Sequence, residues 1–141
     1  MQNAAHAYLQ TQVGTTGRGE IIVMLYDGAL RFLAQAREKM EARDMAGKGM
    51  LISRALDIIN ELDSSLNMEA GGELAQNLHN LYFLCNTRLL QANLKLDTAR
   101  LDSVVEILTG LRSAFAEILH TPEAQAACAR MGAQKPATQQ A

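Results

Sequence analysis

Tryptophan is absent from this sequence, and so is proline from its first 121 residues. The only prolines, Pro122 and Pro136, stand near the C-terminus. Aromatic residues make up 4% of the chain, against a hydrophobic share of 48%. The apolar content is therefore carried by Leu, Ala, Ile and Met. A long stretch free of proline, poor in β-branched residues and rich in strong helix formers excludes a β architecture and points to an all-α fold. At 141 residues the chain suits one domain with a real core.

Charge of one sign is also lacking. Thirteen Lys and Arg are scattered among fifteen Asp and Glu, for a net charge of -2. Nucleic-acid binding works by neutralising phosphates with a basic face, and none is present, so no nucleic-acid partner is expected. Long hydrophobic runs are missing too. The longest, Ile21 to Tyr26, falls far short of the roughly 20 residues a membrane span needs. The start, MQNAAHAYLQ, has neither the basic nor the long apolar region of a signal peptide. Cys85 and Cys128 lie far apart and form no C-x-x-C pair, which reads as a reduced, cytoplasmic setting.

Apolar residues at 3–4 spacing mark four helices. They run from about Gly19 to Ala42, Gly49 to Met68, Glu73 to Leu96 and Ala99 to His120. The stretches ARDMAGKG and EAGGE read as breaks, and Asp97 or Thr98 as the cap of the fourth helix. Short connections make consecutive helices antiparallel. The expected fold is an up-down four-helix bundle over residues 17–120. A flexible N-terminal arm (1–16) precedes it and a mostly disordered tail (121–141) follows, with room for one short helix.

Chemistry is hard to find. A di-metal bundle needs two Glu-x-x-His tetrads, and only Glu117-Ile-Leu-His120 occurs. Cys85 and His79 fall on different sides of one helix. No nucleophile elbow, phosphate loop or dinucleotide fingerprint is present. No enzyme activity, cofactor or metal is expected.

Two helices hold more apolar surface than a core needs. Ile21, Met24, Tyr26 and Phe32 stand beside the core stripe of the first, and Tyr82, Phe83 and Leu90 beside that of the third. Asn86 and Asn93, seven apart, flank Leu89 and Leu90. Monomers seldom expose large apolar patches without a binding purpose. A partner groove is therefore expected from Ile21, Met24, Leu25, Tyr82, Asn86, Leu89, Leu90 and Asn93. Tyr8, Leu9 and Val13 of the arm would cap it. Gly28, a weak helix former inside IIVMLYDGALRFL, is expected where another element approaches the backbone closely. Asp27 beside it would be solvated or paired with Arg31 at i+4.

Three segments resemble the FliS family, the bacterial export chaperones for flagellin. They are AYLQTQVGTT, GEIIVMLYDGALRFLAQA and LYFLCNTRLLQANLKLD. The second is similar to G-E-L-x-x-M-L-Y-[DE]-G-A-[LI]-[KR]-F, and the third to L-Y-x-[FY]-x-x-x-R-L-x-x-A-N-x-x-x-D. One departure is visible: the family commonly opens its first helix with S-P-x-E, where this chain has Gly17-Arg18-Gly19-Glu20. Gly17 can still cap, and Glu20 can still complement the helix dipole. The resemblance implies a cytoplasmic chaperone that binds the C-terminal segment of flagellin in an apolar groove. It would prevent premature polymerisation and deliver its cargo to a component of the export gate. A weak homodimer stays open, as does the alternative of a bundle that adapts some other amphipathic helix.

Overall fold

The computed structural model describes residues 17–119. They form four helices: α1 (Arg18–Glu41), α2 (Met45–Ser64), α3 (Met68–Lys95) and α4 (Thr98–Ile118). Their connections are two or three residues long, which leaves the chain no choice but to reverse at each one. The close pairs are α1/α2, α2/α3, α3/α4 and α4/α1, so α1 faces α3 across the core. This is the antiparallel four-helix bundle expected from the spacing. The expected arm and tail lie outside the described residues.

Each reversal is built from local chemistry. After α1, Arg43 takes a left-handed conformation (φ 61°), and the Asp44 N–H donates to the Lys39 carbonyl at 2.9 Å. Asp44 then caps α2 by accepting from the Gly47 N–H at 3.0 Å. Helix α2 therefore begins at Met45, four residues before the expected start, and only residues 42–44 of ARDMAGKG interrupt the helices. It also ends earlier, at Ser64, because Asn67 opens α3 by accepting from the Ala70 N–H at 3.0 Å. EAGGE is likewise no full break. The helix runs through it with a kink at Gly72, whose backbone (φ 55°, ψ -130°) suits glycine alone among ordinary residues. Asp97 caps α4 with bonds from the Ala99 and Arg100 N–H groups.

The start of α1 shows what the Gly17-Arg18-Gly19 departure accomplishes. Gly17 is the cap, and its N–H donates to Glu20 Oε1 at 3.1 Å. A side chain at Gly19 would run into Leu119, so the glycine lets the first turn of α1 close against the end of α4.

The core is made of Leu33, Ala29, Ala36 and Met40 from α1, Ile52, Ala55, Ile59 and Leu62 from α2, Leu78, Cys85 and Leu89 from α3, and Leu101, Val104 and Leu108 from α4. Two tyrosines join them. Tyr26 and Tyr82 meet across the bundle with their hydroxyls 2.6 Å apart, and the Tyr26 ring stacks on Phe115 at 5.7 Å. Burial holds the Tyr82 phenol above the ordinary tyrosine range, so it stays protonated. The same cause pushes the Cys85 thiol up to about 11, which makes it an inert filler.

Gly28 stands where α2 comes close to α1. A Cβ there would lie 3.3 Å from Ile58 Cδ1, tighter than ordinary contact. Gly28→Leu is expected to lower the stability of the bundle by about 1–3 kcal/mol through overpacking, read as a drop in the urea midpoint. Asp27 beside it pairs with neither water alone nor Arg31. Its carboxylate accepts from Arg112 Nε of α4 at 2.8 Å, a contact 85 residues away in sequence that no helical spacing encodes.

Candidate functional site

The surface of α3 that points away from the core carries the most unusual chemistry of the described residues. Phe83, Leu90 and Leu94 are 69%, 56% and 82% exposed. They sit at i, i+7 and i+11, which places them on one line along about 16 Å of helix. Thr87 occupies the vacant turn, its hydroxyl donating back to the Phe83 carbonyl at 3.0 Å. Leucines and a phenylalanine exposed singly would need no account, but a row of three on one face does.

Charge is missing from this face. Between Ala75 and Leu94 the only ionisable side chains besides the core groups Tyr82 and Cys85 are His79 and Arg88. Arg88 turns toward α4, where its Nη1 donates to Ser103 Oγ at 3.1 Å. His79 Nδ1 lies 2.8 Å from Asp63 Oδ1 of α2. What remains is a set of amides, Gln76, Asn77, Asn80, Asn86 and Gln91, around the apolar row. Asn86 donates its Nδ2 to Asn60 Oδ1 of α2 at 3.1 Å, while its own Oδ1 has no hydrogen-bond partner. An uncharged face of this kind can exchange hydrogen bonds and bury apolar area against a partner helix without desolvating an ion.

The residues expected to form a groove divide between two places. Leu90 lies on the outward row, and Asn86 and Asn93 lie half-buried at its α2 edge. Met24 is half-buried on α1. Ile21, Leu25, Tyr82 and Leu89 are each less than a tenth exposed and belong to the bundle interior. The reason is geometric. Leu89 is one residue and about 100° from Leu90, so the two cannot serve the same face. Tyr26, read as surplus apolar surface, is also core, because Tyr82 satisfies its hydroxyl there. Tyr8, Leu9 and Val13 lie outside the described residues.

Phe83, read only as surplus apolar surface, and Leu94 are not among the residues expected to form the groove, yet they share the exposed row with Leu90. The signal was available: stepping four residues on from Leu90 and seven back finds both. At the Leu94 end of the row stands a buried charge. Lys48 of α2 is 6% exposed and donates from Nζ to the Asn93 carbonyl at 2.7 Å.

Among the described residues, no group of three or more His, Cys, Asp or Glu is placed to hold a metal ion. No described helix is long and apolar enough to cross a membrane. A helical bundle whose most distinctive surface is an uncharged apolar face is a module for binding other proteins. The family described as "Flagellar protein FliS" matches residues 1–122. The chain is 38% identical over 120 residues to the flagellar secretion chaperone FliSB of Pseudomonas aeruginosa, covering 85% of this chain and 95% of that protein. It is 36% identical to the flagellar secretion chaperones FliS of Vibrio cholerae and Bacillus subtilis, covering 84% and 86% of this chain and 90% of each relative. The chain belongs to the FliS family of flagellar secretion chaperones, a family of chaperones and not of enzymes.

Proposed function

We propose that this chain is an export chaperone that binds the C-terminal segment of flagellin along the outward face of α3. Binding keeps flagellin from polymerising in the cytoplasm, and the complex hands its cargo to a component of the flagellar export gate. Tyr8, Leu9 and Val13 cap the apolar face until cargo arrives. The observation that carries this reading is the uncharged row Phe83, Leu90 and Leu94, long enough to receive three turns of an amphipathic helix. The names of the relatives support the flagellar secretion setting. A cargo that folds as it binds must spend interaction energy on its own ordering, so a long apolar contact is needed.

Calorimetry with a flagellin C-terminal peptide tests the reading, with circular dichroism to follow the gain of helix. Binding is expected with a Kd of roughly micromolar or tighter. Absence of binding at roughly tens of micromolar, or a tight complex with an unrelated amphipathic helix instead, favours the general adaptor. The chemistry of the face makes a second prediction. With no ion in the apolar row itself there is little to screen, so the Kd is expected to change by less than about threefold between about 50 and about 500 mM NaCl.

A further inference from the structure

Among the described residues, Lys48 is the only charged one in the buried set. Its neighbours in sequence, Gly47 and Gly49, leave the backbone of α2 bare on either side. Its ammonium reaches 45 residues along the chain to the Asn93 carbonyl. The end of α3 explains why. In an uninterrupted helix the Asn93 carbonyl would accept from the Asp97 N–H. Here Leu96 turns into the left-handed region (φ 52°, ψ 45°), and the Asp97 N–H goes to Ala92 at 3.1 Å. The Asn93 carbonyl is thereby left without its backbone donor at the negative end of the helix, where a cation is favoured. Lys48 supplies the donor and the charge together.

We infer that Lys48 is a positioning residue for the docking face: by capping the Asn93 carbonyl it fixes the last turn of α3 and so holds Leu94, and through it Leu90, in line with Phe83. This inference rests on the proposed use of that face. The residue touches no cargo itself, being buried behind the row. It acts through the turn that carries Leu94, the most exposed of the large apolar residues described. α2 therefore sets the register of the binding surface on its neighbour.

The test compares Lys48→Met, which keeps the apolar stem and loses the donor, with Lys48→Arg, which keeps a donor and the charge. The probe is the flagellin C-terminal peptide. Lys48→Met is expected to weaken binding about fivefold to tenfold, and Lys48→Arg to stay within about twofold of the parent. A merely structural role is separated by a cycle with Leu94→Ala. If Lys48 works by placing Leu94, its substitution costs little further affinity once Leu94 is gone. Parental affinity in Lys48→Met, or losses that simply add with Leu94→Ala, overturns the inference. Amide exchange at Leu96 and Asp97 reads the cap without any cargo, and is expected to quicken at least about tenfold in Lys48→Met. Unchanged exchange there also overturns it. If the parent does not bind the peptide, the functional reading fails, while the exchange result still decides whether Lys48 holds the end of α3.

Discussion

Leu90→Asp is expected to weaken binding of a flagellin C-terminal peptide by roughly tenfold to a hundredfold while leaving the fold intact. Leu90 sits at the centre of the exposed row, between Phe83 and Leu94, and points away from the core. Covering a leucine side chain with a partner is worth about 1.5–3 kcal/mol, and roughly 1.4 kcal/mol corresponds to a factor of ten. Aspartate removes that gain and adds the cost of stripping water from a carboxylate inside a face that offers it no cation. The stability of the free protein should hardly change, because the position is already in water. Its neighbour gives the control. Leu89→Ala removes a core residue and is expected to reduce stability by about 2–5 kcal/mol. Peptide titration and urea unfolding of the two variants measure both effects. Loss of affinity in Leu89→Ala at a temperature where it is folded, with none in Leu90→Asp, would put the cargo elsewhere on the bundle.

Tyr26→Ala is expected to produce the largest loss of stability of any single change proposed, about 3–5 kcal/mol. The ring is fully buried and stacks on Phe115 of α4, and its hydroxyl meets Tyr82 of α3. One residue thus joins α1 to the opposite helix and to a neighbour. Tyr26→Phe separates the two contributions. It keeps the ring and takes away the partner of the Tyr82 hydroxyl, which costs about 1–3 kcal/mol when a buried group is left unsatisfied. Adding Tyr82→Phe removes the second hydroxyl as well and is expected to restore part of that loss. A double variant that loses as much as the two singles together, or more, would mean that the hydroxyls do not support each other. Denaturant unfolding followed by circular dichroism reads all three variants.

Much of this protein is legible in its sequence for definite reasons. The lack of proline before residue 122, together with apolar residues at 3–4 spacing, is enough to give four helices, since both act within one or two turns. Caps are nearly as local. Asp97 stands where a cap is expected, and Asp44 and Asn67 do the same work for α2 and α3. The boundaries that go astray are those where glycine suggests a break. Gly47 and Gly49 are helical because Asp44 caps the first turn of α2 ahead of them, accepting from the Gly47 N–H. Gly72 kinks α3 without ending it.

The site is less legible. In a helix that is apolar on both sides, a shift of one residue turns a side chain by about 100°, so the stripe for the bundle and the stripe for a partner cannot be told apart by spacing alone. Leu89 and Leu90 are the case in point. The sequence by itself determined the helical class, the number and order of the helices and the family, because all of these rest on local spacing and on the order of short motifs. Only the tertiary structure decided which way each helix faces. Tyr26 is core because Tyr82 meets it from the far side of the bundle, Asp27 is paired because Arg112 reaches it, and Lys48 is buried because the end of α3 leaves a carbonyl open. Each of these depends on two groups at least 45 residues apart, and a contact of that kind has no signature in the spacing of either partner.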